Sequence, residues 1–172
     1  KKGRYKNNKM PYFLNESGYH RVAKNKLVFI MDCGQPNNFN TYAGTLSFEF
    51  SYQKNKIVVN CGSPFINNKK WHDAMRSTAA HSTLNLDEVN SSDIFFNKLN
   101  STRKANVWSE KHEESSSIWI NSAHSGYKNL FGIIHNRKIH IDPVKLIIRG
   151  QDYLVRPKKK YTSTAKKFFI LF

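Results

Sequence analysis

The sequence is poor in cysteine, and its two cysteines lie far apart. Cys33 and Cys61 occur in a chain of 172 residues, and no CxxC pair is present. This excludes the zinc-ribbon and thiol-redox motifs, which need paired cysteines. Each cysteine follows an apolar run and precedes a glycine. A disulfide between two strand ends and a pair of buried free thiols both agree with that pattern.

Long hydrophobic runs are also missing. No apolar stretch is long enough to cross a bilayer as a helix, so no transmembrane segment is expected. No signal-peptide pattern opens the chain either. The sequence starts at Lys1 rather than at a methionine, and we expect it to be an internal piece of a longer protein.

Acidic residues are few, because 12 Asp and Glu stand against 28 Lys and Arg, which gives a net charge of +16. This excess indicates a polyanionic partner, and an acidic polysaccharide, a nucleic acid and an anionic membrane surface all fit. The lysines are scattered, however, and no helix-turn-helix, zinc-finger or RNP pattern accompanies them. No specific nucleic-acid partner is therefore expected.

The chain is rich in residues that form β-structure and a core, with 12 Phe, 8 Tyr and 3 Trp. Residues 1–16 are basic and rich in Asn, and we expect a linker or the tail of a preceding domain. Residues 17–172 are expected to be one domain.

Apolar and polar residues alternate with a period of two in several short runs. Leu46, Phe48 and Phe50 alternate with polar residues, and the apolar run 57–59 follows, which predicts a β-hairpin. Repeated short strands with turns between them favour an all-β, antiparallel β-sandwich with little helix. The other predicted strands are 19–22, 26–31, 105–108, 117–122, 132–141, 144–149 and a terminal edge strand in 166–172, with turns at Gly126, Pro143 and Gly150.

The richest candidate site follows the hairpin. Residues 63–80 are predicted to form a long loop that carries Trp71 and Arg76, and His81 then opens an alternating run that ends at Leu86. A neutral imidazole can bind a metal ion or a sugar hydroxyl, and a guanidinium can pair with a carboxylate. The alternative is that His81 and Arg76 only hold the loop against the sheet.

Three other histidines have plainer interpretations. His124, with Tyr127, is predicted to be a structural residue of a surface turn. His135 and His140 occupy odd and even positions of one predicted strand, so their side chains face opposite ways. This argues against a joint metal site.

The blocks AGTLSFEF, VVNCGSP, RSTAAHSTLNLD and SAHSGYKNLFGIIHNRKI occur in this order over most of the chain. This order resembles the β-sandwich part of the heparinase II/III-like proteins, which include bacterial polysaccharide lyases. The resemblance implies a sandwich of the polysaccharide-lyase C-terminal type, truncated here at both ends. It also implies an upstream helical toroid in the same chain, an acidic polysaccharide as partner, and a location in the bacterial cell envelope or periplasm.

The resemblance also implies positions for a metal site. Members of the family place zinc-binding residues at positions that correspond to Tyr42, Asn60 and His81, and a catalytic histidine where this chain has Asn40. Zinc requires three or four His, Cys or carboxylate ligands, and only His81 is one. We therefore expect the zinc site to be lost and no cofactor to be bound.

The full-length parent is thus expected to be a polysaccharide lyase that cleaves by β-elimination. This segment would form one wall of the cleft, with Trp71, Arg76 and His81 as binding residues and His81 as the catalytic candidate, and it would be inactive alone. The alternative is a catalytically inactive carbohydrate-binding or structural sandwich. A glycosidase with paired carboxylates, drawn from Asp32, Glu49 and Asp87, ranks below elimination.

Overall fold

The computed structural model describes residues 13–14, 17–36, 42–62, 68–94, 103–157 and 167–172. In chain order the strands are β1 (Phe13–Leu14), β2 (Tyr19–Lys24), β3 (Leu27–Asp32), β4 (Phe48–Tyr52), β5 (Asn55–Val58), β6 (Leu84–Leu86), β7 (Val107–Glu114), β8 (Ser117–His124), β9 (Ile134–Asp142), β10 (Ile147–Val155) and β11 (Phe168–Ile170). The helices are α1 (Lys69–Arg76) and α2 (Lys128–Phe131), and a 3-10 turn spans Thr78–Ala80.

The strands form three antiparallel sheets. Their orders are β1-β2-β3-β4-β5, β10-β9-β8-β7 and β11-β6. The two larger sheets share one core, because alternate residues of the central strands β3 and β8 are buried. Phe29 and Met31 of β3 pack in the same cluster as Ile118, Ile120 and Ile139 of the facing sheet. The predicted all-β antiparallel sandwich is therefore confirmed.

Both predicted hairpins are present. Strands β2 and β3 are joined by Asn25 and Lys26, which both adopt positive φ angles of 50° and 65°. Such left-handed pairs match the twist of the flanking strands, and Asn tolerates the conformation well. Strands β4 and β5 pair in the same way. Strand β1 lies within the predicted linker 1–16 and pairs with β2, while the domain boundary at residue 17 stays a prediction.

Two predicted strand features are wrong. Leu46 precedes β4 rather than lying in it, because its φ of +62° is left-handed and its backbone N–H donates to the carbonyl of Asp32. The apolar side chain of Leu46 is explained by its burial and does not indicate an extended backbone. Gly150 lies within β10 and marks no turn. The chain reverses earlier, where the Asp142 carboxylate accepts the backbone N–H groups of Val144 and Lys145.

The predicted loop 63–80 is largely helical where it is described, from residue 68 onward. Helix α1 starts because the side chain of Asn68 accepts the backbone N–H groups of Lys70 and Trp71, which otherwise lack partners. The run after His81 does not alternate either. All of β6 is buried, because it packs against the cluster around Tyr127 and pairs with β11, the predicted terminal edge strand.

The sequence left two interpretations of the cysteines open, a disulfide and a pair of buried free thiols, and neither holds for both residues. Both thiols are free, so the disulfide hypothesis is wrong. Cys33 is buried, and burial raises the pKa of its thiol to about 11. Cys61 is exposed instead, with its thiol directed at the carbonyl of Met75. Among the described helices none has the length and apolar character needed to span a membrane.

Candidate functional site

A cleft of about 470 Å³ lies on the outer face of the five-stranded sheet, at the ends of β3 and β4. Three residues singled out from the sequence, Tyr42, Asn60 and His81, meet here although up to 39 positions separate them. The fold brings them together because β5 and the 3-10 turn both end at this edge. The lining residues are Tyr19, Ile30, Asp32, Tyr42, Gly44, Ser47, Glu49, Asn60, Gly62 and His81.

His81 is held in one orientation and one tautomer. Its Nδ1 lies 2.7 Å from the carbonyl of Ser77, so Nδ1–H donates and Nε2 is left as an acceptor. Burial lowers the pKa of the ring, which keeps it neutral near pH 7. Gly44 packs directly on the ring, since a Cβ there would lie 2.6 Å from Cδ2 of His81. The ring of Tyr42 makes an edge contact at 6.0 Å between centroids. The site therefore presents a fixed, neutral hydrogen-bond acceptor.

Asn60 supports the cleft from below. Its Oδ1 accepts the backbone N–H of Ser82 at 2.8 Å and the Ser82 hydroxyl at 3.2 Å. Its own backbone N–H donates to Glu49 at 3.1 Å. The amide oxygen is thus turned toward the residue that follows His81, and its role is to position that loop.

This donor set does not fit zinc. The oxygen of Asn60 is already engaged, and a phenol such as that of Tyr42 is a weak ligand beside a single imidazole. Among the residues that the structure describes, no group of three His, Cys, Asp or Glu side chains is placed to hold a metal ion. Asn40, which the resemblance sets in the place of a catalytic histidine, lies outside these residues.

Two carboxylates also line the cleft. Asp32 lies at the end of β3, and burial raises the pKa of its carboxyl to about 6, although a hydrogen bond from the Gly34 backbone opposes the rise. Glu49 lies on the neighbouring strand. Asp87, the third acid noted in the sequence, is elsewhere, where it accepts the backbone N–H of Lys167 at 2.6 Å. The structure thus unites only two of the three acids.

Sequence reasoning missed Tyr19 as a lining residue. It stands directly opposite Asp32 in the β2–β3 register. The pKa of its phenol is raised by the charge of Asp32, by burial and by the charge of Glu49. The observed register, set by the turn at Asn25 and Lys26, places residue 19 across from residue 32, whereas the predicted strand 26–31 ended before residue 32.

Arg76 and Trp71 are not among the residues that line the cleft. Arg76 ends α1, is buried, and places its guanidinium 5.9 Å from the ring centroid of Tyr42, where cation–π attraction operates. Its carbonyl also accepts the backbone N–H of Ala43. Trp71 is 60% exposed on α1. Their roles in binding stay predictions.

A buried polar network lies behind the cleft. His124 and Tyr127 are fully buried, so their predicted place in a surface turn is wrong, while their structural role agrees with the packing. The Gly126 N–H donates to His124 Nδ1, and His124 Nε2 lies 3.0 Å from His135 Nδ1. His135 Nε2 in turn lies 2.6 Å from Asp152. Each ring therefore accepts a hydrogen bond at Nδ1 and donates one from Nε2, and both rings are neutral.

The two faces of β9 are as predicted. His135 is fully buried in this network, whereas His140 on the other face is partly exposed and contacts Trp119 at 4.2 Å between ring centroids. The two histidines therefore share no metal site.

Comparison with known proteins finds a matching family model, a related sequence and a similar solved structure. A family model described as "Heparinase II/III-like, C-terminal" matches residues 6–168. FtsZ-localized protein C of Caulobacter vibrioides (strain NA1000 / CB15N) is 27% identical over 154 residues, which cover 80% of this chain and 25% of that protein. A solved heparinase III gene product superposes with a TM-score of 0.57 at 17% identity, over 74% of this chain and 19% of its own.

The chain therefore spans about a quarter of the curated relative that it matches and about a fifth of the solved enzyme. The structural likeness establishes the shared fold, and the family model covers nearly the whole sequence. The chain belongs to the heparinase II/III-like C-terminal family.

Proposed function

We propose that this chain forms one wall of the substrate cleft of a polysaccharide lyase that acts on an acidic, uronate-containing polymer. The supporting observation is the meeting of Tyr42, Asn60 and His81 at one cleft, with the Nε2 acceptor of His81 fixed and neutral. In β-elimination a base removes the C5 proton, hydrogen-bonding or positive groups stabilise the carboxylate as charge develops, and the glycosidic oxygen leaves.

Within that reaction His81 contributes an acceptor for a sugar hydroxyl or for the transferred proton. Arg76 contributes positive charge beside Tyr42. Asp32 and Glu49 oppose a uronate while they are ionised, so binding strengthens as the pH falls below about 6 and Asp32 becomes protonated. The net charge of +16 attracts the polymer over a longer range.

The remaining parts of the proposal concern the parent protein. An upstream helical toroid supplies the other wall of the cleft and the remaining catalytic groups. The protein acts in the bacterial cell envelope or periplasm, where large acidic polymers are processed. Membership of the heparinase II/III-like family supports both statements.

The test is the ultraviolet absorbance of unsaturated uronate products. Full-length parent is mixed with heparan-type and alginate-type polymers, and His81→Gln and this chain alone serve as comparisons. The proposal predicts a rise for the parent, a loss of at least about tenfold for His81→Gln if it assists proton transfer, and no rise for the chain alone. Absence of absorbance with every polymer contradicts lyase activity.

A second candidate is a carbohydrate-binding or structural sandwich without catalysis. It is favoured by Asn60, whose amide oxygen holds Ser82 instead of serving as a carboxylate ligand. The curated relative named as FtsZ-localized is compatible with a role other than degradation. Binding of uronate polymers by the parent without absorbance would select this candidate.

A further inference from the structure

The outer face of the four-stranded sheet carries aromatic residues that the cleft does not use. The inner face of this sheet packs in the shared core, so its outer face points away from the cleft, which lies on the opposite side of the sandwich. Trp108 on β7 and Tyr153 on β10 are 53% and 46% exposed. Exposed aromatic side chains grouped on one face commonly mark a binding surface.

Strand register places these two rings in one line. Trp108 lies opposite Ala123, Ala123 lies opposite Asn136, and Asn136 lies opposite Tyr153. Because Trp108 and Tyr153 occupy the two edge strands, three strand spacings separate them, or about 14 Å. The small Ala123 and the short Asn136 lie between two large rings. The result is a trough of about 280 Å³ across the sheet.

The floor of the trough is polar. In the next row, Asn121 donates from Nδ2 to Glu110 at 3.1 Å, and both residues line the trough together with Asn136. Amide groups offer both donors and acceptors. The floor can therefore pair with hydroxyl groups without strong selection for charge.

A third aromatic ring, that of Trp119, lies on the same face of the sheet, two residues from Asn121 along β8. Trp119 contacts His140 in a tilted arrangement at 4.2 Å between centroids, and the Lys138 ammonium lies 4.6 Å from the Trp119 ring centroid. Lys138 also lies opposite Asn121 in the register. The positive charge of Lys138 is therefore engaged with an aromatic face.

We propose that this trough is a second binding site, and that its ligand is a neutral glycan chain. Sugar rings present apolar C–H faces that stack on Trp and Tyr, and hydroxyls at their edges that pair with amides. Two rings on strands about 14 Å apart can contact two separate units of one oligosaccharide chain. The site lies on the side opposite the cleft and does not depend on the proposed lyase activity.

Other partners fit the trough less well. A nucleic acid would stack on the rings, but its phosphates need cations. The charged residue that lines the trough is the acidic Glu110, which would repel phosphates. A protein interface would place apolar side chains at its centre, where this trough has Asn121 and Asn136. A neutral glycan needs neither cations nor an apolar centre, so it fits the rings and the amide floor best.

The test is calorimetric titration of the chain with chitohexaose and cellohexaose. Trp108→Ala and Tyr153→Ala should each weaken binding about tenfold, because each removes one stacking ring. Trp108→Phe and Tyr153→Phe keep a ring and should retain most of the affinity. Val144→Ala, a change at an exposed apolar side chain in the β9–β10 turn, should have no effect.

The outcome separates this site from the cleft. His81→Gln should leave hexasaccharide binding unchanged, whatever its effect on uronate polymers. The proposal is overturned if neither hexasaccharide binds, or if the two alanine variants bind as the wild type does. It is also overturned if the rings instead govern binding of single-stranded oligothymidylate, or self-association measured by sedimentation.

Discussion

Arg137 and Asp152 form a bidentate ion pair inside the sandwich. Arg137 Nε lies 2.7 Å from Asp152 Oδ1, and Nη2 lies 2.8 Å from Oδ2. The remaining Nη1 donates to the carbonyls of Leu46 and Ser82. Because these two residues flank the cleft, the pair connects the four-stranded sheet to the loops that carry Gly44 and His81.

Asp152→Asn should destabilise the fold by roughly 3–5 kcal/mol, because it leaves the buried Arg137 without its counter-charge. Burial alone would raise the pKa of Asp152, but hydrogen bonds from His135 and Arg137 outweigh it and lower the pKa to about 2. Urea denaturation at pH 7 measures the loss. Glu113→Gln, in the exposed pair with Lys24, is the matched control and should cost under about 1 kcal/mol. Equal losses for the two variants would refute the role given to the buried pair.

The neutral histidines His124 and His135 should make the fold sensitive to acid. Burial lowers the pKa of both rings in the folded state, below the ordinary value near 6.5 that holds in the unfolded chain. Their contribution to stability is therefore present above pH 6.5 and is lost as the pH falls below it.

His124→Gln should reduce the slope of unfolding free energy against pH by about 1.4 kcal/mol per pH unit between pH 6 and 5. Urea denaturation at several pH values gives the slope. His112→Gln, which changes a histidine on an exposed strand surface, is the matched control. An unchanged slope for His124→Gln would contradict a neutral, buried His124.

Asp32→Asn should stabilise the protein at neutral pH, which is the opposite of the usual effect of losing a carboxylate. The folded-state pKa of Asp32 is raised from 3.8 to about 6, so its charge costs stability once the pH rises above about 4, and the full cost is reached above pH 6. The asparagine oxygen can still accept the Gly34 N–H.

We expect a gain of roughly 1–2 kcal/mol at pH 7.5 and little change at pH 4, measured by thermal and urea unfolding. Glu49→Gln, at the exposed carboxylate of the same cleft, is the matched control. A loss of stability for Asp32→Asn at pH 7.5 would show that the carboxylate is favourably paired.

Gly44→Ala should displace His81. The new Cβ would lie 2.6 Å from Cδ2 of the imidazole, so the ring must leave its position over the cleft. We expect a loss of about 1–3 kcal/mol in stability together with loss of uronate binding in the cleft. Gly150→Ala is the control, since its Cβ meets only the flexible end of Ile139 at 3.3 Å. Undiminished uronate binding by Gly44→Ala would argue against His81 as the cleft acceptor.

The sequence predicted the sandwich because its strongest signal is the period of two in the central strands. In β9 the alternation correctly separated His135 from His140. The resemblance of four sequence blocks also singled out Tyr42, Asn60 and His81, and these three residues share one cleft. Their correspondence to metal-binding positions stays a prediction.

Other features depend on contacts between distant residues and could not be read from local patterns. Nothing near Asp152 indicates that it pairs with a residue 15 positions earlier, or that the arginine also reaches Leu46. The left-handed φ of Leu46 hides within an alternating run. Helix α1 was missed although Asn68, a favourable N-cap residue, directly precedes it.

The most direct test of the central claim is a nuclear magnetic resonance titration of the His81 ring with uronate oligosaccharides. If the cleft binds the polymer, the His81 ring resonances should shift at pH 7, the shifts should grow toward pH 5.5 as Asp32 becomes protonated, and Asp32→Asn should produce the stronger binding at pH 7. Shifts confined to residues outside the cleft, with the His81 resonances unchanged at both pH values, would contradict the account.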